Sequence, residues 1–208
     1  MKLIIVKDKD TMGKTAADII ADIMKENPHT VLGLATGSTP ETCYAELAEK
    51  NKQGEISFKT TITFNLDEYV NLPVDHKESY RTFMNDKLFN KVDIPMESTH
   101  LPDGNADDID AMCEDYETMI DRVGGVDIQV LGIGRNGHIG FNEPGSSLAS
   151  RTRQVKLTES TKEANGPYFG GPENMPDYAV TMGIGTILDA QQVILMANGP
   201  KKAEAIAA

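Results

Sequence analysis

The sequence predicts a three-layer α/β domain with a mainly parallel central sheet. Short runs of β-branched and other apolar residues alternate with longer segments in which apolar residues recur at helical spacing. Several of the short runs are apolar almost throughout, which is typical of strands covered by helices on both faces. Because strands and helices alternate, we expect each pair of parallel strands to be joined by a right-handed crossover.

Seven segments have the composition of strands and five have the periodicity of helices. In chain order, the predicted strands comprise residues 3–6, 31–36, 61–66, 128–133, 155–157, 179–182 and 193–197. The predicted helices comprise residues 11–26, 40–50, 80–90, 107–122 and 200–208. No internal repeat or linker-like stretch divides the chain, so residues 1–208 are interpreted as a single domain.

Composition and charge narrow the classes of function. The formal net charge of −12 argues against nucleic acid or an anionic membrane surface as a partner. No apolar run approaches the roughly 18 residues that a membrane-spanning helix needs, and the first residues do not resemble a signal peptide. We therefore expect a cytoplasmic protein. Cys43 and Cys113 lack metal-site or redox spacing and are interpreted as buried thiols.

In a parallel α/β sheet the ligand lies beyond the carboxyl ends of the strands, so loops that follow strands are the candidate site. The first such loop lies in LATGSTP and contains Gly37, Ser38 and Thr39. Free N–H groups and hydroxyls at the start of a helix can bind an anion such as phosphate. The same letters also fit an ordinary helix start, since Ser38 and Glu41 have the spacing of a capping box.

The second loop follows the predicted strand 61–66 and begins with two acids, Asp67 and Glu68. A carboxylate at the rim of a sheet is partly desolvated, which raises its pKa and suits it to act as a general base. Adjacent acids in a solvated turn are the plainer interpretation of these two residues alone.

The third loop, GIGRNGHIGFNEPGSS, spans residues 132–147 and places His138 among glycines that offer it little packing. A structural role for this histidine in the core is therefore improbable. Glu143 is placed to hydrogen-bond one ring nitrogen and fix the tautomer. The pair lacks the spacing of a zinc site, so no metal is expected.

A phosphate ligand would also need cations. Lys202 follows Gly199 and Pro200 at the start of the last predicted helix, which makes it the best candidate. Arg151, Arg153 and Lys162 are the other candidates, and each is equally compatible with a solvated surface position.

Four motifs together resemble the glucosamine-6-phosphate deaminase family: LATGSTP, NLDEYVNLP, GIGRNGHIGFNEPGSSLASRTR and YAVTMGIGTILDA. The resemblance extends over the whole chain. It implies a modified Rossmann-like fold and the conversion of glucosamine 6-phosphate and water to fructose 6-phosphate and ammonia. It implies no metal and no redox cofactor.

The resemblance also implies roles for individual residues. Asp67 matches the general base that moves a proton from carbon 2 to carbon 1 of the sugar, and His138, assisted by Glu143, matches the residue that opens the ring. Gly37, Ser38 and Thr39 match the phosphate loop, and Lys202 matches the phosphate lysine.

Three positions depart from the family pattern. Asn136 stands where many members have Asp, so we expect Glu143 alone to stabilise an imidazolium at His138. Lys162 stands where members often have Arg, which puts a phosphate contact there in doubt because a lysine lacks the bidentate fork. Val155 replaces a basic residue of the allosterically regulated hexamers, which suggests an unregulated monomer. The chain also ends within a helical pattern where relatives continue, so we expect a C-terminal segment to be missing.

Two other functions remain as alternatives. A 6-phosphogluconolactonase has a related fold and similar loops, but it needs no carboxylate for proton abstraction at carbon 2. A non-catalytic sugar-phosphate sensor would be expected to carry a DNA-binding segment and a basic surface. The motifs DEYVNLP and GHIGFNEP favour the deaminase over the lactonase, and Asp67, His138 and Glu143 count against the sensor.

Overall fold

The computed structural model describes all 208 residues and contains a five-stranded, fully parallel central sheet. Its strands are β1 (Val31–Leu34), β2 (Ile62–Asn65), β4 (Thr99–His100), β5 (Ile128–Leu131) and β8 (Gln192–Leu195). They lie in the order β4-β2-β1-β5-β8. The four buried residues of β1 and of β5 agree with strands that are covered on both faces.

A second, antiparallel sheet stands beside the first and was not predicted as a separate unit. It consists of β3 (Asp67–Tyr69), β6 (Arg153–Lys156) and β7 (Tyr178–Thr181), with β7 in the centre. Only Leu66 separates β2 from β3, so the chain passes directly from the central sheet into the antiparallel one. The N–H of Met182 donates to the carbonyl of Leu66 over 2.7 Å and joins the two sheets at this point.

Helices cover both faces of the central sheet and complete the three layers. In chain order they are α1 (Lys9–Glu26), α2 (Glu41–Lys52), α3 (Tyr80–Lys87), α4 (Ile109–Arg122), α5 (Glu159–Phe169), α6 (Ile184–Leu188) and α7 (Ala203–Ala207). On one face, α1 and α2 bury Ile20 and Leu47 against Leu34 of β1. On the other face, α4 buries Tyr116 against Phe64 of β2. The predicted α/β fold class is therefore confirmed.

The predicted first strand is absent. Residues 1–6 form no strand, and Leu3 and Ile5 are 76% and 85% exposed. An apolar run becomes a strand only where a neighbouring strand satisfies its backbone groups and a layer covers its side chains. No strand lies beside residues 3–6, so their composition alone did not decide their structure.

Helix boundaries and caps also differ from the predictions. The capping box at Ser38 is wrong, because Pro40 is the N-cap of α2 and no side chain caps this helix. The sequence missed α5, whose Gly166 and Pro167 are typical helix breakers. The predicted helix 200–208 is divided into a 3₁₀ turn, Pro200–Lys202, and the short α7.

Cys43 and Cys113 are both free and buried, as predicted. No helix of the structure is both long enough and apolar enough to cross a membrane.

Candidate functional site

The candidate site is a cavity of about 1020 Å³ at the carboxyl ends of the parallel strands. Four of its walls are the segments that follow β1, β2, β5 and β8, which is the position expected for an α/β sheet. Every predicted site residue except Lys162 lines this cavity: Gly37, Ser38, Thr39, Asp67, Asn136, His138, Glu143 and Lys202. The central sheet therefore brings together residues that lie up to 165 positions apart in the sequence.

The two adjacent acids, Asp67 and Glu68, have different environments. Both carboxylates of the pair are buried, but only Asp67 lines the cavity. Glu68 accepts hydrogen bonds from the backbone N–H groups of Tyr69, Tyr80 and Arg81, at 2.9 to 3.0 Å, and so holds the start of α3. The side-chain carboxylate of Asp67 accepts no hydrogen bond from the protein. Glu68 is thus a structural residue, whereas the carboxylate of Asp67 is left to a ligand.

Burial raises the pKa of the Asp67 carboxyl to about 8, and the nearby charge of Glu68 adds to the increase. The surroundings of Asp67 are aromatic: the rings of Tyr69 and Tyr80 lie 4.9 Å apart, and Tyr80 stacks on Phe141 at 6.1 Å. These three rings also line the cavity. A carboxyl group in such an apolar setting is a stronger base than one in water.

Gly140 provides the space in which the Asp67 carboxylate lies. Its φ is +58°, and a Cβ added at Gly140 would lie 2.9 Å from Thr181 Oγ1 and 3.2 Å from Asp67 Oδ2. Asp67 and Thr181 are direct partners across the β3–β7 ladder. Thr181 Oγ1 also accepts a hydrogen bond from the N–H of Phe141 at 3.2 Å. One threonine therefore connects the loop that carries His138 to the strand that carries Asp67.

The imidazole of His138 packs directly over Gly134, where an added Cβ would lie 2.3 Å from Nδ1. The N–H of Gly134 donates to the carbonyl of His138 at 2.8 Å and closes the loop. Burial lowers the pKa of His138; the charge of Glu143 acts in the opposite direction, and that of Lys202 lowers the pKa further. The ring is therefore neutral near pH 7, and it can both accept and donate a proton.

Glu143 does not hydrogen-bond the imidazole, which corrects the prediction from the sequence. Its Oε2 accepts from Asn136 Nδ2 at 2.7 Å, and its Oε1 accepts from the hydroxyl of Thr158 at 3.3 Å. Asn136 Oδ1 in turn accepts from the N–H of His138 at 3.3 Å. Asn136 therefore connects the backbone of His138 to the Glu143 carboxylate. The charge of that carboxylate affects the imidazole without a direct hydrogen bond.

The segment after β1 presents free hydrogen-bond donors. The backbone N–H groups of Gly37, Ser38 and Thr39 donate to no other atom of the protein. All three residues line the cavity at the start of α2. Unused N–H groups at a helix start are suited to bind an anion.

The predicted cations differ in whether a carboxylate forms an ion pair with them. Lys202 lines the cavity and makes no ion pair. Lys162 is not part of the cavity lining, and its ammonium pairs with the carboxylate of Asp177. The contact of Lys162 with phosphate therefore stays a prediction that the structure does not support. Arg151 pairs with Asp189 at 2.5 Å and lies at a separate surface pocket.

Sequence reasoning missed Arg135, Gly140 and Thr181. Arg135 lies within the loop 132–147, where a cation directly after Gly134 could have identified it. Thr181 lies within the predicted strand 179–182, but only the antiparallel pairing shows that it is opposite Asp67. No pattern in the sequence reports that contact.

A family model described as glucosamine-6-phosphate isomerases/6-phosphogluconolactonase matches residues 8–208. A glucosamine-6-phosphate deaminase of Clostridioides difficile (strain 630) is 50% identical over 206 residues, which are 99% of this chain and 83% of that protein. A glucosamine-6-phosphate deaminase of Shewanella loihica is also 50% identical, over 100% of this chain and 78% of its own length.

Solved structures show the same relationship. A structure described as a monomeric glucosamine-6-phosphate deaminase superposes with a TM-score of 0.96 at 46% identity, covering 100% of this chain and 86% of that one. A 6-phosphogluconolactonase from Thermotoga maritima superposes with a TM-score of 0.74 at 21% identity, covering 97% and 86% of the two chains. The second likeness concerns the fold alone.

Proposed function

This chain belongs to the family of glucosamine-6-phosphate isomerases and 6-phosphogluconolactonases, and we propose that it is an enzyme that converts glucosamine 6-phosphate and water to fructose 6-phosphate and ammonia. The relatives at about 50% identity carry the name of this activity. The reaction is a step of amino-sugar catabolism. The observation that carries the proposal is the buried carboxylate of Asp67, which lines the cavity without a hydrogen-bond partner.

The first step opens the pyranose ring. The neutral imidazole of His138 accepts the proton of the anomeric hydroxyl and delivers a proton to the ring oxygen, so that the carbon–oxygen bond of the ring breaks and an aldehyde forms at carbon 1. An imidazolium exists briefly between the two transfers, and the nearby charge of Glu143 stabilises it. Asn136 and Thr158 hold the Glu143 carboxylate for this purpose.

The second step moves a proton between two carbons. The Asp67 carboxylate removes the proton from carbon 2, and the resulting enolamine takes a proton at carbon 1. Asp67 gives this proton back at carbon 1, so its carboxylate is regenerated. The amino group is then an imine at carbon 2, and water adds to it and releases ammonia, leaving the ketone of fructose 6-phosphate. The overall reaction consumes one water molecule and releases one ammonia molecule. A carboxyl group with a pKa of about 8 is matched to this transfer near neutral pH.

The phosphate group of the substrate is bound at the other side of the cavity. The free N–H groups of Gly37, Ser38 and Thr39 provide donors, and Lys202 provides a positive charge. None of these steps requires a metal or a redox cofactor, because acid–base groups supply each proton transfer.

We also propose that the protein is a monomer and acts in the cytoplasm. The monomeric deaminase to which the chain is similar supports the first proposal. Phosphorylated sugars are charged and stay within the compartment in which they form, which supports the second.

A coupled assay for fructose 6-phosphate tests the function. The wild type should release ammonia and fructose 6-phosphate in equal amounts, and Asp67→Asn should lower kcat by about 10³-fold or more, as expected for loss of a general base. Hydrolysis of 6-phosphogluconolactone in a parallel assay should be undetectable. Full activity of Asp67→Asn would overturn the role of this carboxylate, and lactone hydrolysis in place of ammonia release would overturn the proposed reaction.

A further inference from the structure

We propose that the substrate phosphate is bound by a pair of cations, Arg135 and Lys202, which stand on neighbouring walls of the cavity, and that Lys162 plays no part in binding it. The proposal rests on the proposed function, and it names a specificity-determining residue, Arg135, for that reaction.

The cations of the cavity differ in whether a carboxylate pairs with them. Four cations line the cavity: Lys77, Lys87, Arg135 and Lys202. Lys77 lies 3.8 Å from Glu78 and Lys87 lies 3.6 Å from Glu41, so a carboxylate partly neutralises each of them. Neither Arg135 nor Lys202 makes an ion pair or a side-chain hydrogen bond. Arg135 is exposed and Lys202 is partly buried, and both charges are available to an anion that enters the cavity.

The order of the strands places Arg135 close to the other groups that are available to an anion. The central sheet places β5 between β1 and β8, so the segment after β5 lies between the free N–H groups after β1 and Lys202 after β8. A Cβ added at Gly132 would lie 4.0 Å from the Cβ of Thr39, which shows that the first two segments adjoin. Arg135 follows Gly132 by three residues. It is therefore placed between the two other groups that are available to an anion.

The proximity of the two cations also appears in their electrostatics. Burial lowers the pKa of Lys202, and the charge of Arg135 lowers it further. Like charges repel, so the approach of these two cations is unfavourable unless an anion accompanies them. A phosphate dianion between them would reverse this repulsion, and the guanidinium could bind two of its oxygens at once.

Lys162 differs from Arg135 because its charge is already paired. Its ammonium pairs with Asp177, while the neighbouring Ser160, Thr161 and Glu163 line the cavity. A lysine engaged in this way would have to break its ion pair before it reached the cavity. Arg135 is already there with its charge free.

The test uses four single variants of the full chain: Arg135→Gln, Lys202→Gln, Lys162→Gln and the control Lys201→Gln. Lys201 neighbours Lys202 and is exposed, but it does not line the cavity, so its replacement removes the same charge without removing a proposed contact. For each variant, kcat and KM for glucosamine 6-phosphate and the inhibition constant of inorganic phosphate are measured.

We expect Arg135→Gln and Lys202→Gln each to raise KM and the phosphate inhibition constant by about 10-fold, with kcat within about twofold of the wild type. Arg135→Lys should recover part of the loss, because it restores the charge but not the fork. Lys162→Gln and Lys201→Gln should change both constants by less than about twofold.

A KM for Arg135→Gln that equals that of Lys201→Gln would overturn the proposal, and so would a loss in Lys162→Gln as large as in Lys202→Gln. If the wild type does not turn over glucosamine 6-phosphate, the proposed function fails. Calorimetric binding of inorganic phosphate to the wild type and to Arg135→Gln then decides the role of the cation pair separately.

Discussion

The two ends of the cavity differ in the charge and the burial of the groups that line them. The reaction end comprises Asp67, His138, Gly140 and Thr181, and the anion end comprises Gly37, Ser38, Thr39, Arg135 and Lys202. At the reaction end, a carboxylate is buried among aromatic rings, and its pKa is raised to about 8. At the anion end, backbone donors and two cations remain without partners in the protein.

The difference lies in how tightly each end is packed. The reaction end depends on one carboxylate in one position, and a Cβ added at Gly140 would approach its Oδ2 to 3.2 Å. The anion end has several donors that share one ligand, so no single donor determines binding. We therefore expect changes at the reaction end to lower kcat strongly and changes at the anion end to raise KM moderately.

With Asp67 itself unchanged, the largest loss of activity is expected from Gly140→Ala at the reaction end. The new methyl group would lie within 3.2 Å of both Thr181 Oγ1 and Asp67 Oδ2, so the carboxylate must move. We expect kcat to fall by about 10²-fold or more, since a displacement of about 1 Å in catalytic geometry has an effect of this size. The inhibition constant of inorganic phosphate should change by less than twofold, because the anion end is not disturbed.

Gly145→Ala is the matched control. Gly145 also has a positive φ, +91°, but an added Cβ there would contact nothing within 4 Å. Both variants place a side chain in the left-handed region, at a cost of about 1 kcal/mol. Only Gly140→Ala should lose activity. Equal losses in the two variants would show that backbone strain, and not the position of Asp67, is responsible.

Gly140 also illustrates what the sequence could and could not predict. The alternation of elements predicted the central sheet and the loops that follow its strands, because hydrophobic periodicity is a local property. The same reasoning placed Asp67, His138 and residues 37–39 in loops that follow strands, and all of them line the cavity. The contact of Gly140 with Asp67 joins two sheets, and it depends on the antiparallel pairing of Asp67 with Thr181. Pairing between distant strands leaves no periodic pattern.

The predicted first strand failed for the same reason: residues 3–6 have the composition of a strand but no partner strand. Lys162 shows how a tertiary neighbour also bears on a site prediction. It has the charge of a phosphate ligand, and the structure pairs that charge with Asp177. Arg135 differs from Lys162 because no neighbouring carboxylate forms an ion pair with its guanidinium.

A smaller effect is expected from Glu143 and Asn136. Glu143→Gln removes the charge that favours the imidazolium of His138, and we expect kcat to fall by about 10²-fold. Asn136→Ala removes one hydrogen bond to that carboxylate, while Thr158 retains the other. A single hydrogen bond of about 1 kcal/mol corresponds to a loss of about fivefold. Similar losses of kcat in the two variants would contradict this division of roles.

The burial of Asp67 should also appear in the stability of the ligand-free protein. Its pKa is about 8 in the folded state and about 3.9 in an unfolded chain, so the folded protein holds one more proton between these values. Stability contributed by this group is present in full below pH 4 and is lost as the pH rises through 8. Each pH unit in between lowers the free energy of unfolding by up to about 1.4 kcal/mol.

Asp67→Asn isolates that contribution, because an amide does not titrate. Chemical denaturation of the two proteins at pH 5, 6 and 7 should show that the wild type loses stability relative to the variant at each step. Parallel curves over this range would mean that Asp67 is ionised in the folded state already at pH 5, and that its burial is less complete than the structure shows.

The smallest effect is expected at the anion end, from Ser38→Ala. The variant loses one hydroxyl, but the N–H groups of Gly37, Ser38 and Thr39 remain, because they belong to the backbone. Since neighbouring donors and the cations Arg135 and Lys202 still bind the phosphate, we expect KM to rise by about threefold with kcat unchanged, as for the loss of one weak hydrogen bond. Steady-state kinetics with glucosamine 6-phosphate measures both constants. A fall in kcat comparable to that of Gly140→Ala would show that the anion end also positions the sugar for proton transfer, and the two ends would then act as one unit.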